Sequence, residues 1–297
     1  MSGHDLITLI SNDTLTPVRL GIRAHDLGRF TADELARRIR AEGLECVQLA
    51  VGKAIVGVDL RPGILNPGMA AEIGAAFARH GIGIEVLGCY INPIHPDAPT
   101  RSKLLGLFKE HLRHARDFGC NIVALESGSL NADQSSHPGN AAEGVYQDLL
   151  GSMRELVAEA DRCGVVVGIE AVTSHVLSTP GKMRRLLDDI PSPHLQVIFD
   201  PVNLLTIANY REQREIMRRS FDLLGDRMAV VHAKDVRVAD GNLAACAPGD
   251  GMLDYPFLFA WLAGHKPGIA VLLEGVPAAQ AAGCGRFIQN LILSPIP

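Results

Sequence analysis

The sequence predicts an α/β fold, a closed (β/α)8 barrel, and two observations support that prediction. Strand-like and helix-like segments alternate from about Val18 to the end of the chain, making eight strand–helix units. The strand-like segments are apolar without clean alternation, as expected for parallel strands covered on both faces. Neither a G-x-G-x-x-G turn after the first strand nor a G-x-x-x-x-G-K-[ST] loop occurs, so Rossmann and P-loop folds lack their key residues. We expect one barrel domain over residues 18–297, preceded by an N-terminal extension, residues 1–17.

Capping residues mark where the predicted helices begin and end. Thr31 and Glu34 form a capping box at the start of the first helix, and Gly43 is its stop signal. Asn66 and Thr179 each precede a proline, so we expect them to cap helices whose first residue is that proline. The other predicted helices cover 101–118, 140–163, 212–225, 254–264 and a last segment ending near residue 293, with a loop before residue 254.

Composition excludes several classes of protein. The formal net charge of −5 argues against a nucleic-acid partner, which favours a basic surface. No run of 18 or more apolar residues occurs, so no membrane span is expected, and the first residues lack the basic start of a signal peptide. The six cysteines are scattered without a C-x-x-C pair, which is typical of reduced, buried thiols. A cytoplasmic location is the expectation that follows.

Four strand-like segments in the second half of the chain carry a potential metal ligand at or near their C-terminal end. These ligands are Glu170, Asp200, His232 and Glu274. The C-terminal ends of barrel strands converge on one face, where active sites form. Three carboxylates and an imidazole brought together there would repel one another without a divalent cation between them. A donor set of three oxygens and one nitrogen suits Mn first, with Mg, Co or Zn as alternatives.

Further polar residues at the same face are candidates for binding a substrate rich in hydroxyl groups. His25 is equally compatible with a local loop network, and Lys234 with an ion pair to Asp200 or Asp235. The loop from Pro248 to Tyr255 contains two glycines and has the conformational freedom to fold over the site. The candidates for substrate binding are His25, Tyr90, Asn92, Glu126, His175, Asn203, Lys234 and Arg237.

The motifs around the four ligands resemble those of one superfamily. The segments IE at Glu170, FDPVN at 199–203, HAKD at 232–235, PGDGMLDY at 248–255 and LLEG at Glu274 are similar to the sugar isomerase/epimerase superfamily with the xylose-isomerase-like TIM barrel. The resemblance covers nearly all of the chain from Val18 and implies that the four ligands bind one divalent metal ion. In the ketose epimerases of that superfamily the two metal-binding glutamates are also the acid/base pair. The resemblance therefore implies catalytic roles for Glu170 and Glu274.

The chain departs from the epimerase pattern at three places. Asn203 stands where a histidine follows the aspartate ligand, and Arg237 corresponds only loosely to an arginine that follows the histidine ligand. A second glutamate after the first one is missing, and His175 is a candidate replacement for its polar contact. These departures leave the substrate and the reaction open.

Two classes of reaction fit the resemblance, and other functions fit it less well. The first is a metal-dependent isomerase or epimerase of a small sugar or keto-polyol, which removes a proton next to a carbonyl and forms an enediolate. The alternative is a lyase resembling inosose dehydratase, which starts with the same proton removal. A non-catalytic sugar-binding barrel is a further alternative, and a nuclease is disfavoured by the net charge of −5. We expect an unphosphorylated substrate; a homo-oligomer is compatible with the sequence.

Overall fold

Eight parallel strands close into a barrel in the computed structural model, which describes residues 18–293. The expected extension, residues 1–17, lies outside the described residues. The strands are β1 (Val18–Arg23), β2 (Cys46–Leu49), β3 (Gly83–Gly88), β4 (Ile122–Glu126), β5 (Val166–Glu170), β6 (Leu195–Phe199), β7 (Met228–Ala233), β8 (Asp235–Ala239), β9 (Asn242–Cys246) and β10 (Ile269–Leu273). The order around the barrel is β1-β10-β7-β6-β5-β4-β3-β2, closed by the pairing of β1 with both β10 and β2. The predicted fold class is confirmed.

Helices follow the barrel strands along the chain, and their predicted caps are in place. The side chains of Thr31, Asn66 and Thr179 each accept a hydrogen bond from a backbone N–H in the first helical turn. Glu34 does not complete the predicted box, because its carboxylate pairs with arginines of its own helix. No helix within residues 18–293 is long and apolar enough to cross a membrane. The α-helices are α1 (Ala32–Ala41), α2 (Val51–Ala54), α3 (Pro67–Arg79), α4 (Ala98–His114), α5 (Glu143–Cys163), α6 (Pro180–Asp189), α7 (Gln213–Leu224), α8 (Tyr255–His265) and α9 (Ala281–Leu293).

Several elements differ from their predictions, among them α5, which begins at Glu143 instead of 140, and the short helix α2, which was not predicted. Helix α4 begins at Ala98, three residues before the predicted start, because the Asp97 side chain accepts a hydrogen bond from the Thr100 N–H at 2.9 Å. The segment predicted as a loop after the seventh strand contains an antiparallel hairpin, β8–β9. Asp240 and Gly241 form its turn with φ of 49° and 75°, the geometry that an Asp-Gly pair favours.

The interior of the barrel is apolar and tightly filled. One cluster of buried residues comes from strands alone and includes Val86, Ile198 and Leu272. A larger cluster lies between the strands and the helices that cover them. Gly21 has to be glycine, since a Cβ there would lie 2.2 Å from the Cys46 carbonyl oxygen. This core fills the barrel below its carboxyl-terminal mouth, where the polar residues collect.

Candidate metal centre

The four predicted ligands meet at the mouth of the barrel. Glu170 ends β5, Asp200 directly follows β6, His232 lies in β7, and Glu274 directly follows β10. Strands β5, β6, β7 and β10 are successive neighbours in the barrel, so the four side chains come from one continuous arc. One ligand atom from each residue lies within 4.8 Å of the other three. The rule that polar residues at strand ends converge therefore holds for the whole set.

A chain of hydrogen bonds orients the imidazole of His232. Its Nε2 lies 2.8 Å from the side-chain oxygen of Gln48, which only accepts, so Nε2 carries the proton. The other nitrogen, Nδ1, makes no hydrogen bond and lies 2.9 Å from Glu274 Oε2 and 3.5 Å from Glu170 Oε2. The Gln48 amide donates to the Tyr90 hydroxyl, which in turn lies 3.0 Å from Glu170 Oε1. Gln48 and Tyr90 thus hold two of the four ligands in place.

Asp200 has one oxygen fixed by the backbone and one without a hydrogen-bond partner. Its Oδ1 accepts from the N–H groups of Val202 at 2.8 Å and Asn203 at 3.2 Å. Its Oδ2 is buried without a hydrogen bond, with Lys234 Nζ 3.7 Å away. Burial raises the pKa of Asp200 to about 6, although the Lys234 ammonium lowers it. This carboxylate is therefore held in a place where its charge is poorly compensated.

Lys234 is a permanent cation beside the cluster. Its ammonium group lies 3.0 Å from Asn203 Oδ1 and 3.2 Å from Glu274 Oε1. Burial lowers the pKa of Lys234, but the carboxylates of Asp200 and Glu274 outweigh burial and raise it to about 12. The sequence-based alternative, an ion pair with Asp200, is part of this arrangement, whereas Asp235 faces elsewhere.

The donor set fits a hard or borderline divalent cation. Glu170, Asp200 and His232 are buried, and Glu274 is nearly so. Two atoms of the cluster, Asp200 Oδ2 and His232 Nδ1, are buried and have no hydrogen-bond partner. Unpaired buried atoms of this kind cost free energy that a cation would recover. Three oxygens and one imidazole nitrogen are a ligand set used for Mn, Mg, Co and Zn.

A polar cavity of about 290 Å³ adjoins the cluster. Four of the predicted substrate-binding residues line it, together with the two glutamates of the cluster. His25 is among them, and burial followed by the charge of Arg23 lowers the pKa of its ring to about 4, which keeps the imidazole neutral. Its Nδ1 is buried without a hydrogen-bond partner. The lining residues are Arg23, His25, Lys53, Tyr90, Glu126, Gln134, Glu170, His175 and Glu274.

Glu126 is the carboxylate of this cavity that holds a proton most readily. It ends β4 and lies in register beside Glu170 on β5. Burial, and then repulsion from Glu170 and Glu274, raise the pKa of Glu126 to about 7. His175 stands next to it, with Nδ1 3.3 Å from Glu126 Oε2, while Nε2 donates to the Gln134 carbonyl oxygen at 3.0 Å. The neutral and ionised forms of Glu126 are therefore both accessible near neutral pH.

Two predicted substrate-binding residues lie elsewhere. The Asn92 amide donates to the carbonyl oxygens of Ser129 and Asn131, and its oxygen accepts from the N–H groups of Ile94 and Ser129. All four of its hydrogen-bonding positions are used, three with the loop after β4 and one with its own loop at Ile94. Arg237 lies on the exposed hairpin β8–β9 and does not line the polar cavity.

Arg23 is a residue of the site that the sequence interpretation missed. Its guanidinium lies 3.2 Å from Glu274 Oε1 and 2.9 Å from Asp26 Oδ1. Asp26 in turn accepts from the Gly275 N–H at 2.8 Å and thereby ties the loop after β1 to the loop after β10. The signal was present, because Arg23 ends β1 at the same face as the ligands. Lys53 and Gln134 gave no such signal, since neither belongs to a barrel strand.

The loop after the hairpin is held in place rather than free. The carboxylate of Asp235 is buried and accepts hydrogen bonds from the N–H groups of Gly249, Gly251 and Leu253. A Cβ on Gly251 would lie 2.2 Å from Asp235 Oδ1, so glycine is needed for this close approach. The expected freedom of the segment 248–255 is therefore limited by one buried acid.

Comparisons with known proteins agree with this fold. No curated protein sequence matches the chain. Among solved structures, the 3-keto-D-glucoside 4-epimerase YcjR from E. coli, apo form, is 20% identical, has a TM-score of 0.68, and covers 92% of this chain and 99% of its own. The IOLI protein with a bound zinc atom is 15% identical and has a TM-score of 0.72. The match covers 93% of this chain and 98% of the IOLI chain. A xylose isomerase-like TIM barrel protein from Mycobacterium smegmatis in complex with magnesium is 15% identical, has a TM-score of 0.68, and covers 95% and 98%.

At these identities the structural likeness establishes the fold alone. The xylose isomerase-like TIM barrel family matches residues 36–286, which is most of the chain. The chain belongs to the xylose isomerase-like TIM barrel family.

Proposed function

We propose that this protein is a divalent-metal-dependent isomerase or epimerase of a small sugar or keto-polyol. The observation that carries the proposal is the convergence of Glu170, Asp200, His232 and Glu274 within 4.8 Å beside a polar cavity. Neighbours of the same fold support it, since one is a sugar epimerase and others contain zinc or magnesium. A divalent ion held by these four residues would polarise a carbonyl and acidify the C–H next to it.

Glu274 is the proposed base. Its carboxylate is held ionised, because the contact with His232 and the positive charges of Lys234 and Arg23 outweigh the effect of burial and lower its pKa. An ionised carboxylate at the cavity wall can take the proton from the carbon next to the carbonyl and leave an enediolate. Lys234 Nζ, 3.2 Å from Glu274 Oε1, limits the orientations available to this base.

Glu170 is the proposed partner that returns a proton. Burial and the nearby carboxylates raise the pKa of Tyr90 well above its ordinary value, so its hydroxyl stays protonated and donates to Glu170 Oε1. The remaining oxygen, Oε2, accepts weakly from the Asn203 amide at 3.4 Å. Two glutamates at different positions of one cavity provide an acid and a base for moving a proton between neighbouring carbons or between faces of one carbon.

The other lining residues suit a polyhydroxylated substrate. His25 offers a neutral imidazole ring, which would form a hydrogen bond with a hydroxyl group. Glu126, at the end of β4, and His175, in the loop after β5, offer a carboxyl group and an imidazole. Asn203 and Lys234 add an amide and an ammonium group next to the ligands. No single contact selects a particular sugar, but together they favour hydroxyl groups over apolar ones.

A lyase on the same residues is the second candidate, and Glu126 favours it. With a pKa raised to about 7, this residue holds a proton for part of the population at neutral pH. A protonated carboxyl near the base could deliver its proton to a departing β-hydroxyl group, which turns the same first step into a dehydration. Replacement of Glu126 by Gln would abolish a dehydration and only slow an isomerisation.

The test combines metal binding with proton exchange. Wild-type protein should bind about one Mn per chain and exchange the proton next to the carbonyl of a keto-sugar or an inosose with solvent deuterium, followed by NMR. Glu274→Gln, whose amide oxygen can still bind the metal, should bind Mn more weakly and show no exchange even when saturated with Mn, and His232→Ala should lose both. Glu155→Gln, which alters an exposed ion pair with Lys109, is the matched control. Full turnover by Glu274→Gln with metal bound would exclude the proposed base.

A further inference from the structure

A second cavity, larger and less polar, lies beside the polar one. Its volume is about 470 Å³, within the range of roughly 300–1,000 Å³ that is usual for small-molecule sites. It lies between α4 and the ends of β2 and β3, under the segment that follows β2. We call it the side pocket and define it by Leu60, Ile91, Leu104, Leu107 and His111.

The side pocket and the polar cavity share one wall. Lys53, Tyr90 and Gln134 line both of them. Tyr90 uses its hydroxyl on the metal side, where it contacts Glu170, and the Lys53 ammonium stands 5.7 Å from the centre of its ring. The two cavities are therefore adjacent, with these three side chains between them.

One buried nitrogen of a residue that lines the side pocket lacks a hydrogen-bond donor. His111 is 1% exposed, and its Nδ1 lies 2.9 Å from the Leu107 carbonyl oxygen one turn earlier on α4. A carbonyl only accepts, so Nδ1 carries the proton and Nε2 is an acceptor. Burial lowers the pKa of His111, which keeps this ring neutral. Nε2 is buried and has no hydrogen-bond partner, an arrangement that costs free energy unless a ligand or water supplies a donor.

We propose that the side pocket is a second substrate subsite, which holds an apolar, ring-sized substituent carrying a hydroxyl group that donates to His111 Nε2. The leucine and isoleucine side chains would bury the ring, and the unpartnered nitrogen would select the hydroxyl. The inference rests on the proposed function and extends it: the substrate is a sugar or polyol joined to a second, largely apolar group rather than a free small sugar.

The first experiment needs neither metal nor turnover. Binding of 4-methylphenol and of toluene to the metal-free protein is measured by NMR titration. Wild-type should bind 4-methylphenol roughly three- to tenfold more tightly than toluene, the effect of one hydrogen bond. His111→Leu should remove that difference, and Leu107→Trp, which fills the pocket, should weaken both by at least about tenfold. His114→Leu makes the same substitution on the same helix outside the pocket and should change neither.

The second experiment connects the two cavities. Wild-type protein, with and without Mn, is titrated with 4-hydroxyphenyl β-D-glucopyranoside and methyl β-D-glucopyranoside. The aryl glucoside should bind at least about tenfold more tightly, and Leu107→Trp should remove this preference without changing the methyl glucoside. If Leu107→Trp fails to fold by circular dichroism, His111→Leu, with a loss of roughly three- to tenfold for the aryl glucoside, decides the test.

Three results would overturn the inference. One is equal binding of 4-methylphenol and toluene, which would mean that Nε2 is satisfied by water alone. Another is 4-methylphenol binding without any preference for the aryl glucoside, which would make the cavity a separate site. The third is a preference unaffected by the pocket variants. Failure of the proposed function would be seen separately, as absence of Mn binding. Both titrations could still be interpreted, because each is also carried out without metal.

Discussion

The interior of the barrel and its mouth obey opposite rules. The interior is filled by side chains such as Val86, Ile198 and Leu272, packed so closely that Gly21 leaves no space for a methyl group. The mouth collects Asp200 and other buried carboxylates, with ligand atoms that lack a hydrogen-bond partner. The packing of the interior stabilises the fold without taking part in the site. The buried carboxylates of the mouth lower the free energy of unfolding but form the candidate metal centre. Each prediction below tests one side of this contrast.

The largest effect is expected in the interior. Gly21→Ala places a methyl group 2.2 Å from the Cys46 carbonyl oxygen and 2.6 Å from its Sγ, so the strands have to move apart. We expect a loss of about 3 kcal/mol or more in the free energy of unfolding, measured with urea. Gly106→Ala on α4, where nothing lies within 4 Å, is the control and should gain roughly 0.5–1 kcal/mol. Equal stability of the two variants would contradict the packing argument.

The next effect reverses the usual sign of a mutation in a buried site. Burial raises the pKa of Asp200 to about 6, above the ordinary value of 3.8, so in the metal-free protein its ionised form opposes folding. The penalty is complete above pH 6 and disappears as the pH falls towards 4. Asp200→Asn keeps an oxygen for the Val202 and Asn203 N–H groups. It should therefore stabilise the metal-free protein by about 1–3 kcal/mol at pH 7.5.

The same variant separates stability from metal binding. At pH 4.5 the gain from Asp200→Asn should be much smaller than at pH 7.5, and added Mn should no longer raise its melting temperature. Wild-type, in contrast, should be stabilised by Mn at pH 7.5. If metal-free Asp200→Asn melts at a lower temperature than wild-type at pH 7.5, burial of the ionised Asp200 carboxylate does not destabilise the fold.

A smaller effect is expected at Gln48, which contacts a proposed ligand but is not one itself. Gln48→Leu removes the acceptor that fixes the proton on His232 Nε2. Metal affinity should fall by roughly 10- to 100-fold while the protein stays folded, as measured by Mn titration and circular dichroism. Gln196→Leu on β6, whose amide donates to the Pro193 carbonyl oxygen away from the site, should leave metal affinity unchanged. Unaltered affinity in Gln48→Leu would mean that the imidazole is positioned by packing alone.

The smallest effect distinguishes two arginines. Arg237 lies on the exposed hairpin, so Arg237→Ala should change stability by less than about 0.5 kcal/mol and leave proton exchange intact. Arg23 contacts Glu274, and Arg23→Ala should slow exchange at least about tenfold by removing a charge beside the proposed base. The measurement is the rate of solvent deuterium incorporation with metal bound. Equal exchange rates for the two variants would mean that Arg23 does not assist the proposed base.

Much of the fold was predictable because it depends on local rules. The alternation of strand-like and helix-like segments predicted the closed barrel, and polar residues at strand ends located Glu170, Asp200, His232 and Glu274. The hairpin also has a local signal, the Asp-Gly pair at 240–241, which favours a two-residue turn.

The other features of the site could not be predicted, because they depend on contacts between segments that are far apart in the sequence. Asn92 lines the side pocket, but its amide is bound by carbonyl oxygens of the segment after β4, which no feature of its own segment indicates. Arg237 is only five residues from His232, yet the hairpin turns it out to solvent. The side pocket arises where α4 packs against the ends of two strands, so its unpartnered His111 nitrogen could not be predicted from spacing.

The seam between β1 and β10 has a consequence for how the protein is made. Glu274 follows β10, the last barrel strand to leave the ribosome, and its contacts with Arg23 and the Asp26–Gly275 link join it to the first strand. A nascent chain that lacks β10 holds only three of the four ligands. If the proposed metal binds there, we expect the complete polypeptide to take it up after synthesis rather than during translation.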